Sequence, residues 1–221
     1  MPAAAILPRI LLLSCCLLVA LAPSAVTADA IRTASVPTLS VKTNGQGVVS
    51  FVAIQISIQA RQDGPTVQFN EINLGGGSAV GTDWKAGVKQ AVLAATRALG
   101  IEGRDWVVTV KNRSYNSVTE GQSASAAVAV GIMAAWRRDT VRHDAVMTGQ
   151  IEPDGSIRQV GRVPAKVEAA IKEGFRTILI PRGQLKTDEW DLTGLAETRA
   201  IEILEVGMLE EAYRTMTESN P

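Results

Sequence analysis

The chain has 221 residues, and its 22 lysine and arginine residues balance 22 aspartate and glutamate residues. A net charge of zero gives no electrostatic attraction to nucleic acid or to an anionic membrane, so neither partner is predicted. Aromatic residues make up only 4% of the chain, which argues against a stacking platform for sugars or bases. Both cysteines, Cys15 and Cys16, lie near the N-terminus.

Residues 1–30 have the layout of a secretory signal peptide. Arg9 precedes an apolar run over 10–21, and small residues follow, so cleavage is predicted after Ala28 or Ala30. The run is shorter than the roughly 20 residues that span a bilayer, and an uncleaved N-terminal anchor is the alternative. The predicted location is secreted or periplasmic, without membrane contact after cleavage. Cleavage also removes both cysteines, which excludes disulfides, zinc–thiolate sites and cysteine nucleophiles.

The mature chain is long enough for one hydrophobic core. Residues 31–48 show no clear period and are predicted as a lead-in segment, and residues 49–217 are predicted as a single domain. Val49 to Ile58 alternates loosely and indicates a strand. Turn residues at 62–65 precede a second apolar stretch over 66–69, so the pair predicts a hairpin.

Helices and strands alternate along the rest of the chain. The first helix is predicted from Asp83, its N-cap, to Leu99, and Gly100 ends it. A strand over 106–110, a polar loop over 112–122 and a second helix over 124–137 follow, then a strand over 144–149, a hairpin over 151–160, a helix over 164–174, a strand over 177–180, a strand over 201–206 and a helix from Met208. The hairpins favour a mixed sheet, and the predicted fold class is α+β.

Ser123 lies immediately before the alanine-rich second helix, which leaves two explanations for it. Serine is a common N-cap, and for this residue alone capping is the commoner role. The same position places a hydroxyl among unpaired backbone N–H groups, which can stabilise an oxyanion.

Lys166 lies at the edge of the apolar stripe of the third helix. It either extends its ammonium group to solvent or is buried, and burial would lower its pKa and make the amine a usable base. The only histidine, His143, is predicted at the surface. A serine–lysine pair is therefore favoured over a Ser-His-Asp triad, and a multi-histidine metal site is not expected.

Two other sequence motifs give little indication of function. The triple glycine over 75–77 is not followed by Gly-Lys-Ser/Thr, so it is predicted as a flexible loop and no nucleotide cofactor or metal is expected. Asn112-Arg113-Ser114 is a formal glycosylation sequon, relevant only in a eukaryotic source.

Three segments together resemble the proteolytic domain of Lon proteases. Residues 120–125 (Glu-Gly-Gln-Ser-Ala-Ser) are similar to the family's acidic-Gly-Pro-Ser-Ala-Gly motif, and residues 142–151 to its Arg-x-Asp-Val-Ala-Met-Thr-Gly-Glu-Ile motif. Residues 160–166 are similar to the segment that ends in the family's catalytic lysine, and the alignment from Ser123 to Lys166 needs no gap.

The resemblance implies a single Lon-type proteolytic domain, similar to domain 2 of ribosomal protein S5, with helices packed on a mixed sheet. It implies that Ser123 attacks the scissile carbonyl and that Lys166 takes its proton. Thr148 would orient the lysine, Glu120 would shape the entrance, and backbone N–H groups around Ser123 would form the oxyanion hole.

The expected activity is that of an ATP-independent serine endopeptidase acting on unfolded or flexible polypeptides outside the cytoplasm. The resemblance also implies a homo-oligomeric ring, with a hexamer as the expected size. The alternative is a non-catalytic Lon-like domain that binds or scaffolds peptides. The chain departs from the family pattern at several positions. Gln122 replaces proline, Ser125 and Arg162 replace glycines, Gln150 replaces glutamate, and Thr109 and Lys111 stand where the family often has histidines.

Overall fold

The first two strands form an antiparallel hairpin in the computed structural model, which describes residues 31–60, 62–71, 79–114 and 118–218. Strand β1 (Ile31–Val41) pairs with strand β2 (Gly47–Ile58) along its whole length. Gly45 lies in the turn with a φ of 87°, a conformation that favours glycine. Residues 31–48 were expected to be an irregular lead-in segment, but most of them belong to β1. Residues Val36 to Leu39 of this strand are buried on both faces of the sheet, so apolar and polar residues do not alternate there.

Strand β3 (Thr66–Phe69) does not pair with β2. Strand β4 (Ala79–Val80) and helix α1 (Thr82–Ala98) follow it, and strand β5 (Trp106–Arg113) then lies between β2 and β3. β5 runs antiparallel to β2 and parallel to β3. The predicted hairpin of β2 and β3 is therefore wrong, because turn residues mark where the chain bends and not which strand lies beside it.

The remaining elements follow the predicted order, with additions. They are β6 (Val118–Thr119), α2 (Ser125–Arg137), β7 (Thr140–Val141), β8 (Ala145–Met147), β9 (Gln150–Ile151), β10 (Ile157–Arg158), α3 (Val163–Lys172), β11 (Thr177–Pro181), α4 (Thr193–Arg199), β12 (Glu202–Val206), α5 (Leu209–Met216) and β13 (Thr217–Glu218). Helix α4 and the short strands β4, β6, β7 and β13 have no counterpart among the elements predicted from the sequence.

Seven strands form the central sheet in the order β12-β11-β8-β1-β2-β5-β3. The strands from β12 to β1 are parallel to one another, β2 is antiparallel to both β1 and β5, and β3 is parallel to β5. The predicted mixed sheet with packed helices is confirmed. Residues that alternate along the strands face two separate cores: Val36 and Met147 belong to the core under α1, α2 and α5, whereas Leu39 and Val146 belong to the core under α3.

Close contacts fix the direction of α2 across the sheet. The Arg32 guanidinium lies 3.9 Å from the ring centroid of Trp136, near the end of the helix. A methyl group on Gly131 would lie 2.5 Å from Ile54, and one on Gly149 would lie 3.3 Å from Ala126. The N-terminus of α2 is therefore at the edge of the sheet where β1 and β8 end.

Helix α3 approaches the same edge from the opposite face. A methyl group on Gly47, the first residue of β2, would lie 1.9 Å from the carbonyl oxygen of Ala165, so only glycine allows this approach. The first turns of α2 and α3 are thus brought together at one end of the sheet.

No helix in the described ranges combines the length and apolarity that crossing a membrane requires. The predicted signal peptide over 1–30 and the glycine loop over 75–77 lie outside the described residues.

Candidate active site

Ser123 lies in the turn that leads into α2 and is partly exposed. The N-cap of α2 is Ala124, and no side chain makes a capping hydrogen bond there. The capping explanation for Ser123 is therefore wrong. Gly121, two residues earlier, has a φ of 84°, which glycine adopts without strain and which turns the chain toward the helix.

Lys166 lies in the first turn of α3 and is only 3% exposed. Burial lowers the pKa of its ammonium group from 10.5 to about 8, because the charged form loses its hydration. Of the two alternatives that the sequence left open, the buried lysine is confirmed. An amine with this pKa is neutral in about a tenth of the molecules at pH 7 and in about half at pH 8, and the neutral form can accept a proton.

Thr148, which is fully buried, connects the lysine to the serine segment. Lys166 Nζ donates to Thr148 Oγ1 at 3.1 Å, and Thr148 Oγ1 donates to the carbonyl oxygen of Ser123, also at 3.1 Å. The backbone N–H of Gly149 donates to the same carbonyl at 2.8 Å. The structure thus brings Ser123, Thr148 and Lys166 together. Among the contacts of the described residues, Lys166 Nζ reaches Ser123 through Thr148 and makes no direct hydrogen bond to its hydroxyl.

Backbone donors are available beside the hydroxyl. The N–H of Ser125 donates to the carbonyl of Gln122 at 2.9 Å and closes the turn. In the described part of the chain, the N–H groups of Ser123 and Ala124 have no acceptor. Unpaired N–H groups at a helix N-terminus attract negative charge. The arrangement can therefore stabilise an oxyanion formed next to Ser123.

Residues 115–213 match the family model for the Lon protease (S16) C-terminal proteolytic domain. This part of the chain therefore resembles a Lon-type proteolytic domain. The chain is 28% identical to the archaeal Lon protease of Methanocaldococcus jannaschii over 173 residues, which cover 76% of this chain and 25% of the relative.

Two further Lon proteases are similar to parts of this chain. The archaeal Lon protease of Pyrococcus abyssi is 35% identical over 104 residues, 44% of this chain and 10% of the relative. Lon protease 2 of Bacillus subtilis is 26% identical over 140 residues, 60% of this chain and 25% of the relative. The chain thus spans about a quarter or less of the length of these curated relatives.

The structure places the Glu120 carboxylate at the N-terminus of α1. Its Oε1 accepts the backbone N–H of Asp83 at 2.7 Å, so Glu120 supplies an acceptor for the first turn of the helix. The N-cap position is Gly81 and not Asp83 as predicted. A methyl group on Gly81 would lie 1.1 Å from Glu120 Oε2, so glycine makes room for the carboxylate.

Arg162, which replaces a glycine of the Lon pattern, occupies the N-cap of α3 with a φ of 59°. This left-handed conformation is one that glycine adopts readily and other residues adopt at a cost, which explains the family preference. Its carbonyl accepts the backbone N–H of Lys166 at 3.3 Å. The start of α3, and with it the lysine, depends on this backbone geometry.

Gln184, which was not predicted as a site residue, supports the segment that precedes α3. Its buried side chain accepts the backbone N–H of Val160 at 3.0 Å and donates to the Val160 carbonyl at 2.7 Å. Trp190 Nε1 donates to the Gln184 carbonyl at 2.8 Å. Gln184 lies just after Pro181, the last residue of β11, and belongs to no sequence motif. Nothing in the sequence therefore indicates that its side chain bonds to the backbone of Val160.

The Arg-x-Asp part of the motif has a structural role. Arg142 makes two hydrogen bonds to the Asp144 carboxylate, at 2.9 and 3.1 Å, and another at 3.1 Å to the carbonyl of Thr215 near the end of α5. The hydrogen bonds from Arg142 lower the pKa of the Asp144 carboxyl. His143 between them is exposed, as predicted.

Other candidate sites do not coincide with this one. Across the described ranges, no group of three or more histidine, cysteine, aspartate or glutamate residues could hold a metal ion. Asn112 of the sequon is 2% exposed and donates to Thr119 Oγ1 at 2.7 Å, so it is inaccessible to glycosylation in the folded domain. A cleft of about 510 Å³ lies at the opposite end of α2, beside Arg32 and Arg138.

Proposed function

We propose that the chain is a serine endopeptidase in which Ser123 is the nucleophile and Lys166 the general base, and that it cleaves unfolded or flexible polypeptides. The observation that carries the proposal is the buried Lys166 amine, with its lowered pKa and its link through Thr148 to the Ser123 segment. Lys166 has no anionic partner among the described residues, and burying such a lysine without a functional reason only costs stability.

In the proposed reaction, the neutral Lys166 amine accepts the proton of the Ser123 hydroxyl as Oγ bonds to the scissile carbonyl carbon. The tetrahedral oxyanion accepts hydrogen bonds from unpaired N–H groups at the start of α2. The Lys166 ammonium then returns its proton to the leaving amine, and the peptide C–N bond breaks. Water then attacks the ester carbon and loses a proton to Lys166. The bond from that carbon to Ser123 Oγ breaks, Oγ regains a proton from the Lys166 ammonium, and the acid product leaves.

Thr148 is proposed to orient the amine. Its hydroxyl donates to the Ser123 carbonyl, so its lone pairs face Lys166 and accept one of the amine hydrogens. That contact holds Nζ beside the serine segment. The proposed proton transfer requires Nζ and Oγ to come within hydrogen-bonding distance when substrate binds, since catalytic hydrogen bonds often form fully only in the complex.

Several features of the whole protein belong to the proposal. The sequence contains no Gly-Lys-Ser/Thr phosphate loop, so we propose that cleavage by this chain does not need ATP. We also propose export to the periplasm or medium through residues 1–30, and assembly into a homo-oligomeric ring. N-terminal sequencing of the exported protein tests cleavage after Ala28 or Ala30, and light scattering gives the number of subunits.

The deciding experiment compares the exported protein with Ser123→Ala and Lys166→Ala on casein, a disordered substrate, with and without ATP. Wild type is expected to degrade casein equally well in both conditions, and both variants to be inactive. Thr96→Ala removes a hydroxyl near the far end of α1 and serves as a remote control that should keep full activity. Equal degradation by wild type and both variants, or none by any of them, would refute the proposal. Binding of casein without cleavage would favour the peptide-scaffolding alternative.

A further inference from the structure

Ser125, the first residue of α2, has a hydroxyl with a specific partner. It is 2% exposed, and its Oγ accepts the backbone N–H of Ile151 at 2.9 Å. The Lon motif that this segment resembles has glycine at this position, and glycine has no side-chain acceptor. Ile151 is itself buried, so its N–H group has no access to water as a replacement partner.

The bond is one of four that join two short segments. Residues 123–126 contain the start of α2, and residues 148–151 contain β9. Besides the Ser125 contact, the N–H of Gly149 donates to the Ser123 carbonyl at 2.8 Å, and the N–H of Ala126 donates to the Gly149 carbonyl at 3.1 Å. The Thr148 hydroxyl provides the fourth, also to the Ser123 carbonyl. The segment over 148–151 therefore carries the group that holds Lys166, and the segment over 123–126 carries the nucleophile.

Packing leaves the two segments little freedom to separate or slide. A methyl group on Gly149 would lie 2.6 Å from Ile157 and 3.3 Å from Ala126, so the second segment lies directly against α2. On the other side, a methyl group on Gly87 of α1 would lie 3.2 Å from the Ser125 Cβ. The Ser125 side chain is thus enclosed between α1 and the segment to which it bonds.

We propose that Ser125 is a positioning residue that sets the register between the nucleophile segment and the segment holding Lys166, replacing the family glycine with a side-chain hydrogen bond. The inference rests on the proposed function. Ser125 does not touch the reacting atoms and acts through Ile151 and Thr148. Errors of about 1 Å in the placement of catalytic groups can reduce turnover by about a hundredfold, so this bond is expected to affect kcat more than substrate binding.

The test compares Ser125→Ala and Ser125→Gly with wild type, using casein-derived fluorogenic peptides. Both variants lose the acceptor, so both are expected to lower kcat at least about tenfold while KM changes less than about twofold. The glycine variant restores the residue of the Lon pattern, and it is expected to be no better than alanine. The control is Thr96→Ala, which removes a buried hydroxyl bonded to the Leu93 carbonyl at 3.0 Å, more than two turns along α1 from Gly87.

Amide hydrogen exchange supplies a readout that does not depend on catalysis. Exchange of the Ile151 N–H is expected to accelerate at least about tenfold in Ser125→Ala and to stay unchanged in Thr96→Ala. If wild type is active and Ser125→Ala keeps its kcat, or if Thr96→Ala loses as much, the inference is overturned and the proposed function stands. If wild type is inactive, the proposed function fails, and unchanged Ile151 exchange in Ser125→Ala would overturn the inference separately.

Discussion

At the scale of single residues, the pKa of Lys166 determines when the proposed site can work. The amine must be neutral to accept the serine proton, and burial lowers its pKa to about 8. We expect kcat/KM for peptide cleavage to rise about tenfold between pH 7 and pH 8.5 and then to level off. An ordinary lysine would instead make the rate rise up to about pH 10. A pH–rate profile measured with an uncharged peptide distinguishes the two, and a profile that is flat from pH 6 to 9 would contradict Lys166 as the base.

The same burial has a cost in stability. The folded protein has a Lys166 pKa of about 8 against 10.5 for an ordinary lysine, so the unfolded chain binds more protons in this range. The free energy of unfolding is therefore expected to rise as pH increases from about 8 to 10.5. Below pH 8 it is lower by about 3 kcal/mol than above pH 10.5, because the buried amine is then charged.

The variant Lys166→Met removes this charge and keeps most of the side-chain volume. We expect it to abolish cleavage and to raise the free energy of unfolding at pH 7 by about 2 kcal/mol, since the lost bond to Thr148 offsets part of the gain. Urea unfolding at several pH values measures both effects. The difference between variant and wild type should shrink as pH approaches 10.5. A variant less stable than wild type at pH 7 would show that the buried ammonium is not costly.

At the scale of elements, the segment before α3 is held in place by Gln184, which lies just after β11. Its amide satisfies both the N–H and the carbonyl of Val160. Gln184→Leu leaves both groups without partners and is expected to reduce the free energy of unfolding by about 2–4 kcal/mol. Gln184→Glu should be destabilising at pH 7, where a carboxylate cannot donate to the Val160 carbonyl, and should regain stability on protonation near pH 5. Urea unfolding at the two pH values tests this, with Gln55→Glu on the exposed face of β2 as the matched control.

At the scale of the whole molecule, the parts that follow local patterns were predictable and the long-range pairings were not. The helices at Ser125 and Val163 begin within a residue of their predicted starts, because an apolar stripe and an N-terminal proline are local signals. Ser123 and Lys166 were predictable as a pair only because they align, together with Thr148, to the Lon motifs without a gap. The position of β5 between β2 and β3 depends on contacts distant in sequence, and no turn residue encodes them.

Strand β1 is the clearest consequence of such distant pairing, because it lies at the centre of the sheet between β8 and β2. Its Val36 and Leu39 are fully buried in different cores on the two faces. A chain that starts at Val49 lacks this strand and exposes both cores, so we expect it not to fold. The chain from residue 31 to the C-terminus is expected to unfold in one cooperative transition.

Far-UV circular dichroism and thermal unfolding compare the two chains. A third chain, which ends at Met216, removes the two-residue strand β13 at the opposite terminus and provides the control. It is expected to keep its cooperative transition with a modest loss of stability, because Thr217 and Glu218 pair only with β7 and bury little apolar surface. Cooperative unfolding of the chain from Val49 would instead mean that residues 31–48 are not needed for folding. It would also mean that β8 and β2 form a stable sheet without β1, the strand that lies between them.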